Sequence, residues 1–144
     1  SNIQAAIGLA QLERLDATLL KKLAIGKYYS KLLKDENSIK LPIKKTSYAD
    51  NIYWVFGIVL KGSDSLTAEE VMKELSIRRI GSRPFFYPIH QQPVLRKLGF
   101  FNGINLPVSE KISKKGFYVP SGLTLNKKQI EIVVKALKEI ISRK

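Results

Sequence analysis

From residue 2 to residue 33, apolar side chains recur at three- and four-residue steps: Ile3, Ile7, Ala10, Leu12, Leu15, Leu19, Leu23 and Leu32. That period, with no Pro in the run, predicts one long helix. Ala5, Ala6, Gly8 and Ala10 make one end of it small. Small side chains let a neighbouring backbone approach closely, although Gly8 costs about 1 kcal/mol of helix propensity. Residues 34–51 lose the period and carry Asn37, Pro42, Asp50 and Asn51, the composition of a loop. Residues 52–60 are continuously apolar, aromatic and β-branched, and read as a buried strand. Lys61-Gly62-Ser63-Asp64 follows as a turn. Thr67 and Glu70 have capping-box spacing ahead of Val71, Met72 and Leu75, which predicts a short helix. Residues 77–87 look extended. Residues 91–98 and 108–115 fit short helices, and Phe117 to Val119 fits a short strand closed by Pro120-Ser121-Gly122.

The last helix is the most sharply patterned. Asn126 and Gln129 make a capping box, and Ile130, Val133, Val134, Leu137, Ile140 and Ile141 form one apolar stripe at the helical period. Lys135, Lys138, Arg143 and Lys144 lie toward the negative end of its dipole. The expected fold class is α+β, an antiparallel sheet with helices over one face and the other face open.

Composition then narrows the function. The chain has 144 residues, no Cys and one His, so thiolate chemistry and His-rich metal sites are excluded. Its longest apolar stretch, residues 52–60, is less than half of a membrane span, and the N-terminus has no secretory pattern, so a cytoplasmic location is expected. The sequence opens at Ser1 inside a helical pattern with no initiator Met, so a piece of a longer protein is expected. The formal net charge is +13. Nineteen Lys and six Arg supply the cations, never more than two in a row. With no basic helix, zinc-finger spacing or ribonucleoprotein motif, this reads first as a solvated surface and only second as a nucleic-acid or anion-binding module. No Walker loop, dinucleotide fingerprint or supported Ser-His-Asp set is present.

The run Gly81-Ser-Arg-Pro-Phe-Phe-Tyr-Pro-Ile-His-Gln-Gln-Pro93 carries the chemistry. Pro84, Pro88 and Pro93 stiffen it, and each biases its predecessor toward extended geometry. In an extended chain Arg83, Phe85 and Tyr87 face one way, and Phe86 and His90 the other. Arg offers forked hydrogen bonds to phosphate, and Tyr and His can bond sugar hydroxyls. The plainer reading makes Phe85 and Phe86 core, Arg83 a surface ion pair and His90 a satisfied loop histidine.

Asn2-Ile-Gln-Ala-Ala-Ile-Gly-Leu-Ala-Gln-Leu12 resembles the helix that follows the active-site core of DegT/DnrJ/StrS-type sugar aminotransferases. Ser82-Arg-Pro-Phe-Phe-Tyr-Pro-Ile-His-Gln-Gln-Pro93 resembles that family's substrate-side strand with its Pro-x-His element. Leu106-Pro-Val-Ser-Glu110, Gly116-Phe-Tyr-Val-Pro-Ser-Gly122 and Leu125 with Gln129-Ile130 are similar to its closing motif. These matches fall in family order along the whole chain, and the Arg-Pro-Phe-Phe-Tyr-Pro form is most similar to the perosamine-synthase branch.

The resemblance implies the C-terminal small domain of a fold-type-I enzyme that uses pyridoxal 5'-phosphate. Residues 1–34 would link to a preceding large domain, and residues 35–144 would form the small domain. The lysine that holds the cofactor and the Asp that faces its pyridinium nitrogen would lie in that large domain, leaving this chain inactive alone. The implied reaction moves an amino group from glutamate to a keto-deoxysugar nucleotide, in a homodimer. The implied substrate-binding positions are Arg83, Phe86, Tyr87 and His90, with no catalytic, cofactor-binding or metal-binding residue. A sugar dehydratase or a regulator on the same scaffold is the alternative.

Overall fold

The computed structural model describes residues 1–62 and 66–142; Ser63 and Asp64 of the expected turn, and Arg143 and Lys144, lie outside the described residues. Among the described residues six α-helices are formed: α1 (Asn2–Leu12), α2 (Leu15–Leu32), α3 (Ala68–Ile77), α4 (Pro93–Lys97), α5 (Pro107–Lys115) and α6 (Lys127–Ser142). Four strands accompany them: β1 (Ile39–Lys40), β2 (Phe56–Leu60), β3 (Arg83–Pro84) and β4 (Gly116–Val119). They form one antiparallel sheet in the order β1-β2-β4-β3. The α+β expectation holds.

The single long helix becomes two. The Arg14 N–H donates to Gln11, three residues back, at 3.2 Å. This tighter bond pattern ends α1 at a turn over Glu13 and Arg14. No Pro or Gly marks the break, so the apolar period runs straight through it. Packing also differs on the two sides: α1 buries no residue, whereas α2 buries Ile25, Gly26 and Tyr29. The second half of α2 therefore belongs to the domain core.

The strand expected over residues 52–60 is shortened to β2, Phe56–Leu60. Tyr53 has φ 53°, a left-handed conformation that strains a bulky residue and ends strand geometry ahead of Phe56. Its N–H is held by Asn51 Oδ1 at 2.7 Å. The bend lays the Tyr53 ring on Gly26 of α2, where a Cβ would come within 2.1 Å of Tyr53 Cγ.

The extended stretch shrinks to the two residues of β3. The α3 helix takes Ile77, then ends in a Schellman motif. Arg79 has φ 59°, the Ile80 N–H reaches Leu75 O at 2.9 Å and the Arg79 N–H reaches Ser76 O at 2.9 Å. At its head the Thr67–Glu70 capping box is formed as expected. The loop 34–51 contains the unforeseen β1.

Alternation builds the closed face of the sheet. Phe56, Ile58 and Leu60 of β2, with Phe117 and Val119 of β4, are buried in one cluster with residues of α2, α3 and α6. Phe56 pairs with Val119 and Ile58 with Phe117 across the ladder. The Tyr29 ring stacks 4.8 Å from Phe56, and its hydroxyl donates to Pro120 O at 2.8 Å. Burial pushes that hydroxyl's pKa up. All six stripe residues of α6 are buried, and Asn126 and Gln129 exchange both bonds of the capping box. No helix among the described residues is long and apolar enough to cross a membrane.

Candidate substrate-binding face

The open face presents the alternate residues Gly57, Val59 and Tyr118. The Phe85 ring lies across it, 4.6 Å from the Tyr118 ring. Two glycines make room. A Cβ on Gly116 would sit 2.4 Å from Phe85 Cδ2, and one on Gly57 would sit 2.9 Å from Phe85 Cζ. Val108 and Ile112 of α5 stand beside the ring and line the depressions on either side of it.

Phe85 separates two largely apolar depressions. One, of about 610 Å³, lies between Phe85, Phe86 and α5. The other, also about 610 Å³, lies over Gly57 and Val59, with Lys40, Lys61 and Lys111 among its lining. Beyond Tyr118 lies a third cavity of about 570 Å³, lined by Val55, Ser82, Arg83, Tyr118, Pro120 and Ser121 among others.

Arg83 reaches the third cavity because β3 is the sheet edge. Pro84 lacks an N–H and suits an edge strand. The two-residue strand pairs Arg83 with Tyr118 and Pro84 with Phe117. Among the described residues the Arg83 side chain has no ion pair, whereas Arg78 is held by Glu139 at 2.7 Å and Arg96 by His90 O at 3.2 Å. Arg14 and Arg79 have no ion pair either, but among the described arginines Arg83 is the one that lines one of these cavities.

The other candidates scatter. Alternation stops at Pro84, so Phe85 and Phe86 line the same depression instead of opposite faces. Phe86 is 79% exposed there, and Tyr87 is exposed without lining any of these cavities. His90 is buried in a 3-10 turn over Ile89–Gln91, its Nε2 2.9 Å from Glu110 Oε1. Glu110 also accepts from the Leu106 N–H at 3.3 Å. The His90 hydrogen bond, then the backbone one, holds the Glu110 carboxyl below the usual carboxylate range. The pair braces the segment after β3 against α5, as the plainer reading of His90 expected.

Sequence reasoning left out Tyr118, Ser82 and Ser121. For Tyr118 the signal was present: a polar-tipped aromatic between Phe117 and Val119 must face away from them.

The arrangement is suited to binding, and among the described residues these cavities hold no nucleophile–base set. No Asp or Glu lines these cavities to face a pyridinium nitrogen. Lys115 is buried, but it donates to Leu66 O at 2.8 Å. These residues do not form a cradle for pyridoxal phosphate.

The chain is 32% identical over 142 residues to the GDP-perosamine synthase of Caulobacter vibrioides, covering 98% of this chain and 37% of that protein. It is 30% identical over 144 residues to the dTDP-4-amino-4,6-dideoxy-D-glucose transaminase of Escherichia coli, covering 99% of this chain and 38% of that one. It thus spans little more than a third of the length of these relatives. A solved Streptococcus pneumoniae structure named as a sugar aminotransferase, Spr1654 in its PMP form, superposes with TM-score 0.87 at 20% identity, covering 99% of this chain and 35% of that one. The sequence profile matches over residues 1–138, and the chain belongs to the DegT/DnrJ/EryC1/StrS aminotransferase family.

Proposed function

We propose that this chain is the substrate-side, C-terminal part of a pyridoxal-phosphate-dependent aminotransferase. Its reaction moves an amino group from glutamate to a keto group, at the 4-position, of a GDP-linked deoxysugar. The free Arg83 in a cavity with Ser82, Tyr118 and Ser121 supports this reading most directly. A guanidinium fork suits the diphosphate of such a substrate. The hydroxyls suit a sugar ring, and Tyr118 also lines the neighbouring apolar depression of Phe85 and Phe86. Tyr87 and His90 remain proposed contributors at the rim, His90 through the Glu110 brace. The bound cofactor supplies the electron sink, and we place its lysine and its acidic partner on polypeptide outside this chain. Residues 1–34 are then the link to that part, with the second half of α2 packed into the core of the small domain, and the working protein is a cytoplasmic homodimer. Similar identity to GDP-sugar and dTDP-sugar enzymes leaves the branch to the Arg-Pro-Phe-Phe-Tyr-Pro run.

The test uses the full-length protein with glutamate and a GDP-linked 4-keto-6-deoxysugar. Wild type is expected to form the amino sugar. Arg83→Ala is expected to raise KM for the sugar nucleotide about 10- to 100-fold, the range for losing a charge-assisted hydrogen bond. It should leave KM for glutamate in place. Absence of amino sugar from GDP-, dTDP- and UDP-linked keto sugars would overturn the reading.

A further inference from the structure

We propose that Lys22 is a positioning residue that sets the width of the Arg83 cavity; this rests on the function proposed above. Lys22 Nζ donates to Trp54 O at 2.8 Å and to Ser121 O at 2.7 Å. The two carbonyls are remote in sequence. One precedes β2 and the other follows β4. They flank the same cavity wall: Val55, Pro120 and Ser121 line it opposite Gly81, Ser82 and Arg83.

The α2 helix holds this wall at two points. Tyr29, seven residues and two turns on from Lys22, lies on the same helix face and donates to Pro120 O at 2.8 Å. Lys22 takes the next carbonyl, Ser121. Tyr29 is fully buried and fixed by the core, whereas Lys22 grips the outer end of the loop and also ties down Trp54, which is 68% exposed. Charge-assisted bonds to carbonyls are short and directional, so one ammonium clamps two carbonyls that lie just beyond the last pair of the β2–β4 ladder, Phe56 with Val119. Without Lys22, the carbonyls at this exposed rim can turn to water. The loss then appears as cavity geometry more than as stability.

The experiment compares full-length wild type, Lys22→Met and Lys22→Arg. For Lys22→Met we expect KM for the keto-sugar nucleotide to rise about 10-fold, because small misplacements of binding groups are costly. KM for glutamate and kcat should stay within about twofold. Lys22→Arg, which keeps donors, should recover part of the loss. Hydrogen exchange supplies a readout independent of turnover: the amides of Val55 and Gly122 should exchange about 10-fold faster in Lys22→Met, while that of Ile58 is unchanged. Unchanged exchange, or a parallel loss of both KM values and thermal stability, would overturn the positioning role. If wild type aminates no keto-sugar nucleotide, the proposed function fails, and the exchange data still decide whether Lys22 holds the two loops.

Discussion

Along β2 and β4 successive residues enter two different environments. Phe56, Ile58, Leu60, Phe117 and Val119 meet the helices and are buried. Gly57, Val59 and Tyr118 meet Phe85 and open depressions. The closed face uses large apolar side chains that fill space. The open face uses glycines, one aromatic lid and an edge arginine, and leaves space unfilled. The same pleat thus carries stability on one side and, under the proposed function, recognition on the other, and substitutions on the two sides should fail in different ways.

The sharpest break is Phe56→Ala against Phe86→Ala. Phe56 is fully buried between Tyr29 and Tyr53. Its truncation is expected to cost about 3–5 kcal/mol by urea unfolding. Phe86, exposed on the other side, should cost less than about 0.5 kcal/mol while weakening binding of the sugar nucleotide. Equal losses of stability would erase the distinction between the faces.

Glycines come next. Gly26→Ala adds a methyl group where the Tyr53 ring already lies. Overpacking of this kind costs about 1–3 kcal/mol, against a helix-propensity gain of about 1 kcal/mol. A net destabilisation is expected in thermal unfolding. Gly116→Ala should displace the Phe85 ring and the Ile112 carbonyl. Its signature is a change in the groove, read as altered ligand affinity beside a stability loss of similar size.

These cases show what the sequence could and could not disclose. The closed face was legible because period 2 in β4 and period 3.6 in α6 each sort residues by burial. The breaks were not. The turn between α1 and α2 has no Pro or Gly, and the Schellman end of α3 uses Arg79 where Gly is usual. Tyr53 takes a left-handed backbone that goes with its contacts to Gly26, Asn51 and Phe56 in the folded chain. In the candidate site, the extended backbone at Arg83 was legible from its place before Pro84. The cavity around it was not, because Ser82, Tyr118 and Ser121 meet only through the β3–β4 pairing. His90 read two ways, and its geometry depends on Glu110, twenty residues away.

That pair gives a smaller, pH-dependent effect at the border of the open face. The Glu110 carboxyl is held below its ordinary range by His90 and the Leu106 N–H. A depressed folded-state pKa contributes stability above the unfolded value, and that contribution is lost as pH falls through the folded one. From about pH 5 downward, wild type should therefore lose stability more steeply than Glu110→Gln in urea midpoints. Parallel curves down to about pH 3 would show that the brace does not bear on folding.

The smallest stability effect is expected on α1, whose apolar residues meet nothing. Ile3 and Ile7, one turn apart on a single helix face, are 73% and 60% exposed. The α6 stripe has the same kind of period and is buried, so periodicity alone does not tell a core helix from one that is left bare. Contiguous apolar surface of this kind drives association. The chain as given should therefore self-associate in sedimentation, and the double variant Ile3→Lys/Ile7→Lys should reduce that association. Because neither side chain is packed, unfolding free energy should change by less than about 0.5 kcal/mol. A monomeric starting chain, or a destabilisation comparable with Phe56→Ala, would mean that α1 packs against the domain after all, and the contrast between covered and uncovered apolar surface would then fail at its simplest point.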